Sequence, residues 1–158
     1  MASATRSSDR VEAAARAAGI NISIQRMPDT TRTAEDAAKA CGTSVAQIVK
    51  SLIFKKAESG EPVLLLVSGE NRVNEKKMAE RLGEALKRVD ARAVRELTGF
   101  AIGGVAPLGS ISPLATYIDE DLLAFDSVWA AAGTPNAVFE VAPHKLKEAT
   151  GARVIRMD

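Results

Sequence analysis

Gln47-Ile48-Val49-Lys50-Ser51-Leu52-Ile53-Phe54 is the stretch on which the fold of this chain turns. Period-two alternation places Ile48, Lys50, Leu52 and Phe54 on one face of a strand, a face that should be buried. A buried ammonium must snorkel to water, find an anion or lose its proton. Lys50 is therefore either a strand-end lysine with its head in solvent or a site residue. Just upstream, Thr33-x-x-Asp36 and Ser44-x-x-Gln47 are successive helix-start signals of the capping-box type. They predict a short helix ending near Cys41-Gly42 and then a further turn, so Lys50 is held on rigid structure. Downstream, Glu58-Ser59-Gly60-Glu61 predicts a turn into Pro62-Val63-Leu64-Leu65-Leu66-Val67. That unbroken apolar run reads as a central strand covered on both faces, hairpin-paired with the lysine strand.

Outward from the hairpin, residues 1–7 read as a flexible tail, after which Asp9 caps a helix that runs to Ala18 and stops at Gly19. Ile22 and Ile24 alternate with polar neighbours in a strand predicted over 20–27, ended by Pro28-Asp29. Asn74 starts a helix through Met78, Leu82 and Leu86, with Gly83 as an early stop signal, and Val94 to Thr98 form another short helix. Short strands are predicted over 116–119, 127–130 and 137–141. Pro143 opens a last helix ending at Thr150-Gly151, and Val154-Ile155 add an edge strand. The fold class is α+β: one compact domain over 8–158, with a mixed, mostly antiparallel sheet flanked by helices.

Composition narrows the function. The chain has 158 residues with 21 Lys plus Arg against 20 Asp plus Glu, and a net charge of +1 supplies no field to draw in a polyanion. One cysteine, Cys41, excludes an internal disulfide, and one histidine, His144, argues against structural zinc. A reducing cytoplasm is the expected location. No apolar stretch is long enough to span a membrane, and the first residues lack a signal-peptide core.

Few residues offer chemistry. Gly103-Gly104-Val105-Ala106-Pro107-Leu108-Gly109 has the backbone freedom to turn main-chain N–H groups toward a ligand, and with Lys50 it suggests an anionic or carbonyl ligand. His144 follows Pro143 at a helix start with no nucleophile elbow to serve. Cys41 reads as a packing residue. The acids Asp119-Glu120-Asp121 diverge and read as a solvated turn or cap, although Asp119 follows a strand directly. Arg72, Lys76, Lys77 and Arg81 read as a solvated helix face, and Trp129, Phe100 and Tyr117 as core.

Four segments in order resemble the YbaK/ProXp family, relatives of the editing domain of bacterial prolyl-tRNA synthetases: Thr33-Ala34-Glu35-Asp36-Ala37-Ala38, the 47–54 strand, the 103–109 loop, and Tyr117-Ile118-Asp119 followed by Ala131-Ala132-Gly133. The resemblance spans about residues 10–156. It implies a trans-editing deacylase that clears the ester of a mischarged aminoacyl-tRNA without metal, cofactor or covalent intermediate. Lys50 then holds the phosphate or ribose of the terminal adenosine, while Gly103, Gly104 and Pro107 belong to the loop that positions carbonyl and water. Thr30, Thr31, Ser51, Val105, Ala106, Asp119, Ala131, Ala132 and Gly133 are the expected substrate-binding residues. The partners implied are the acceptor end of aminoacyl-tRNA and, as a candidate, prolyl-tRNA synthetase. DNA is not an expected partner, since no recognition helix is evident.

The chain departs from the YbaK branch at the amino-acid pocket. Ala131-Ala132-Gly133 align where that branch has a serine and Gly-Gly, and Val138 where it has an acid. Such a pocket favours alanine or a slightly larger aliphatic residue on tRNA(Pro) over cysteine. The competing reading is a catalytically silent tRNA- or synthetase-binding adaptor with the same fold.

Overall fold

The structure, a computed structural model, describes residues 2–28 and 33–158. Its elements are α1 (Ala2–Ala17), β1 (Gln25–Arg26), α2 (Ala34–Cys41), a 3-10 turn (Val45–Gln47), β2 (Val49–Lys56), β3 (Pro62–Ser68), α3 (Glu75–Leu82), β4 (Leu86–Arg88), α4 (Ala91–Thr98), β5 (Ala115–Asp119), a second 3-10 turn (Glu120–Ala124), β6 (Val128–Ala131), β7 (Ala137–Val141), α5 (Pro143–Thr150) and β8 (Arg153–Ile155). Five strands form one mixed sheet in the order β4-β2-β3-β5-β8, and three form a second, antiparallel sheet in the order β1-β7-β6. A single parallel bridge, Ile48 to Trp129, joins the two just before β2 begins.

Alternation along the central strands distributes their side chains between two cores. Val49, Ile53, Leu64, Leu66 and Ile118 face the main core with Val11, Phe100, Phe139 and Leu146. Phe54, Val63, Leu65 and Val67 face a second core with Met78 and Met157. β3 is thus buried on both sides, which is why its sequence is an unbroken apolar run. Around this frame the cap residues act as their types dictate. Thr33 Oγ1 accepts from the Asp36 N–H at 3.0 Å, and Gly42 ends α2 in the left-handed region. Gln47 Oε1 accepts from the Ser44 hydroxyl at 2.8 Å, and its Nε2 donates to the Ser127 carbonyl at 3.0 Å, holding the turn ahead of β2 against the segment that enters β6.

Three boundaries differ from those predicted. Helix α1 begins at Ala2, so Asp9 lies inside it, and residues 2–7 of the segment read as a tail are helical. That segment's last residue and the next are seated in the fold: Ser7 and Ser8 are buried, and Ser8 Oγ donates to the Ala132 carbonyl at 3.0 Å. The strand expected over 20–27 shrinks to Gln25–Arg26. Ile20, Ile22 and Ile24 pack on the main core without a ladder, because only Gln25 and Arg26 pair with β7. Finally, α3 stops at Gly83, whose N–H bonds to the Ala79 carbonyl at 2.9 Å, and Leu86 belongs to a strand. The free edge of β2 captures 86–88, pairing Phe54 with Arg88 and Lys56 with Leu86.

Gly133 has a φ of 96°, and a Cβ there would lie 2.8 Å from the Ser7 carbonyl carbon and oxygen. Gly133→Ala is expected to destabilise the fold by about 2 kcal/mol, combining backbone strain with a clash against helix backbone that cannot rotate away. Urea denaturation measures this directly; an unchanged midpoint would mean that α1 does not seat on this turn.

Candidate active site

Lys50 opposes Val67 in the β2–β3 ladder and shares a face with Leu52. Its ammonium is half-buried and donates to the main-chain carbonyl of Asn71. That carbonyl is held in place by the rest of the residue. The Asn71 N–H bonds to the Ser68 carbonyl at 2.9 Å, and its side-chain amide donates to Asp119 Oδ2 at 2.9 Å and Asp121 Oδ2 at 2.7 Å. Asp119 is buried at the end of β5. Its carboxylate also accepts from the Ser68 N–H at 3.0 Å and the Asp121 N–H at 3.0 Å, so the buried charge is spread over three N–H donors. Desolvation, followed by the Arg72 charge, lowers the Lys50 pKa below its ordinary 10.5; Glu35 and Asp119 oppose that shift.

Lys50 stands where two lobes of one cleft meet. The smaller lobe, about 350 Å³, is walled by Ala34 and Ala37 of α2, Ile48, Trp129, Ala131 and Val138. The wider lobe, about 610 Å³, reaches Arg72, Val73, Glu75, Arg88, Val94 and Ile102. Lys50, Ser51, Leu52, Gly103 and Val105 line both. Gly103 takes a φ of 88°, and Gly104 has no room for a side chain, because a Cβ would lie 2.7 Å from the Thr134 backbone. The Gly104 N–H is committed to the Ala101 carbonyl at 3.0 Å, whereas those of Gly103 and Val105 have no protein acceptor among the described residues. Ser51 Oγ, enclosed at the junction, has none either. The junction thus combines a cation with uncommitted main-chain N–H groups, donors of the kind a developing oxyanion needs, while the Ser51 hydroxyl is buried beneath it.

Of the residues singled out from sequence, Lys50, Ser51, Gly103, Val105 and Ala131 line the cleft. Others lie behind it. The Ala106 side chain is fully enclosed in the main core. Pro107 faces a separate depression beside Ala14 and Leu64. Asp119 meets Lys50 only through Asn71, Ala132 is buried against Ser8, and Gly133 lies on Ser7. Thr30 and Thr31 fall outside the described residues. The α2 wall, Trp129 and Arg72 were not recognised as cleft residues. Trp129 reads as core in sequence, and only the bridge to Ile48 brings its strand to the cleft. Neither His144, exposed on α5, nor Cys41, whose thiol burial pushes up in pKa, lines the cleft.

Comparison with known proteins supplies the class of this α+β domain: an aminoacyl-tRNA editing domain, among the deacylases that clear aminoacyl-tRNA. The chain belongs to the aminoacyl-tRNA editing domain family, whose model matches residues 28–153. Its fold superposes with a TM-score of 0.91 on a solved candidate trans-editing enzyme for prolyl tRNA synthetase, at 46% identity over 96% of each chain. It is 32% identical to the uncharacterized protein YwhH of Bacillus subtilis over 131 residues, 83% of each chain. To EbsC of Enterococcus faecalis, a candidate Cys-tRNA(Pro)/Cys-tRNA(Cys) deacylase, it is 27% identical over 124 residues, 77% of this chain and 74% of that one. No helix among the described residues is long and apolar enough to cross a membrane.

The lowered Lys50 pKa has a stability consequence. Between that lowered value and 10.5 the unfolded chain holds the Lys50 proton more tightly than the folded one, so this group's contribution to stability rises with pH across the window. Comparing wild type with Lys50→Met by urea denaturation at pH 7 and pH 10, wild type should gain relative to the variant at pH 10; a gap that moves the other way would place the ammonium in a stabilising ion pair.

Proposed function

We propose that the enzyme acts in trans on tRNA(Pro) mischarged with alanine or a slightly larger aliphatic residue such as 2-aminobutyrate, hydrolysing the ester by direct attack of water without a metal ion. The observation that carries this reading is the two-lobed cleft. A small lobe walled by Ala34, Ala37, Ala131 and Val138 suits a short apolar side chain, and a wider lobe flanked by Arg72 and Arg88 suits the terminal adenosine. The ester bond then lies at their junction. Lys50 holds a phosphate or ribose oxygen, and the Gly103 and Val105 N–H groups point to the carbonyl oxygen as charge develops on it.

Hydrolysis adds the water oxygen to the carbonyl carbon, breaks the bond to the ribose oxygen, and leaves the water's proton on the released ribose hydroxyl. No histidine or carboxylate of the cleft is assigned as base. The neighbouring ribose hydroxyl or a second water carries the proton, which an activated ester tolerates because positioning supplies much of the rate. Absence of a polar recognition group on Ala131 or Val138 separates this reading from the cysteine specificity attributed to EbsC. A synthetase bound alongside would supply tRNA affinity that a net charge of +1 does not.

The test is release of amino acid from tRNA(Pro) charged in turn with Ala, Ser, Cys, Thr, 2-aminobutyrate and Pro. Wild type should clear Ala or 2-aminobutyrate and spare Pro. Lys50→Ala should lose about a hundredfold in rate while staying folded, and Ala131→Leu, which fills the small lobe, should reject 2-aminobutyrate before alanine. A near-native rate in Lys50→Ala would remove the role given to that residue; tRNA binding with no hydrolysis of any ester would identify a silent adaptor.

A further inference from the structure

The family match begins at residue 28, so α1 lies outside it, yet one turn of this helix touches the segments that support two walls of the cleft. Ser8 holds the Ala132 carbonyl at 3.0 Å, directly after the small-lobe residue Ala131. Two residues on, Arg10 Nη2 donates to the Gly99 carbonyl at 2.9 Å and the Thr98 carbonyl at 3.4 Å, while its Nε donates to the Gly109 carbonyl at 3.2 Å. Its guanidinium also lies 4.8 Å from the centre of the Phe100 ring. One planar group therefore ties together both stems of the loop that carries Gly103 to Val105.

We infer that Arg10 is a positioning residue for the Gly103 loop, closing its two stems so that the loop backbone is presented to the cleft in one conformation. The loop needs such a clamp. Gly99, Gly103 and Gly109 all have positive φ, and a segment with three such glycines has many conformations to lose on ordering. The stems are shaped around the clamp: a Cβ on Gly99 would lie 2.5 Å from Arg10 Nη2, and one on Gly109 would lie 3.0 Å from the Arg10 carbonyl oxygen. A lysine cannot replace it, because a point ammonium lacks the fork that reaches two separated carbonyls while stacking on Phe100. The catalytic consequence rests on the deacylase reading; the geometric one does not.

Two measurements on Arg10→Ala and Arg10→Lys separate them. Amide hydrogen exchange at Gly104 and Ile111, whose N–H groups bond to the Ala101 carbonyl at 3.0 Å and the Thr98 carbonyl at 3.2 Å, should accelerate about tenfold or more in Arg10→Ala, with β2 and β3 amides unchanged. The kcat for the cleared ester should fall about tenfold at constant KM, and methylguanidinium, but not methylammonium, should restore both readouts. Should Arg10→Ala fail to fold, Arg10→Lys retains the stem and charge and is expected to show the same loop-specific exchange. Unchanged loop exchange, or exchange rising equally through β2 and β3, would overturn the clamp. A wild type that hydrolyses no ester would defeat the deacylase reading alone, with loop exchange still deciding the role of Arg10.

Discussion

A buried carboxylate organises the middle of this molecule. Asp119 is 1% exposed, and burial of an ionised carboxyl is tolerable only because Ser68, Asn71 and Asp121 each donate an N–H to it. Those donors come from the end of β3, the loop after it and the 3-10 turn after β5. The same charge that ties three chain segments together therefore fixes the Asn71 peptide, and through its carbonyl the direction of the Lys50 ammonium. A group that contacts no part of the cleft determines where its cation stands.

Alternation along β2 supplies the complementary constraint. Val49 and Ile53 anchor the strand in the main core, and Phe54 anchors it in the second. With both faces of the strand occupied, a register slip would put Lys50 among Leu64 and Leu66, so the position of the lysine is enforced by packing on both sides. The second wall of the cleft comes from a different sheet. One backbone bridge, from Ile48 to Trp129, joins the sheets at the residue before β2 begins, and Val138 follows on β7 beside Ala131. The small lobe lies where the two sheets separate, roofed by α2.

Much of this was legible in the chain itself. Capping residues with strong local chemistry, Thr33, Asn74 and Pro143, mark their helices correctly, because a side chain that satisfies a nearby N–H, or a ring that needs none, acts over three residues. The doubly buried β3 was equally plain. What the sequence did not disclose involves partners remote along the chain. β4 is too short and too charged to be a strand by pattern, and exists because β2 has a free edge. Residue 7 looks like the end of a tail because nothing local needs it; it and Ser8 meet Gly133 and Ala132, more than a hundred residues away.

On residue type alone Lys50 stays open between a strand-end lysine with its head in solvent and a site residue, and it is the family resemblance that pairs it with the Gly103 loop. The sequence by itself thus determined the α+β class, the central hairpin, most helix ends and the two halves of the junction. Tertiary structure decided that Asp119 and Ala106 stand behind the cleft rather than in it, that Trp129 is a wall, and that Arg10 spans the loop stems. The reason is one of range. Alternation, capping and turn chemistry act over a few residues and are written in order along the chain, whereas a cleft is the space left between segments whose approach depends on every intervening contact.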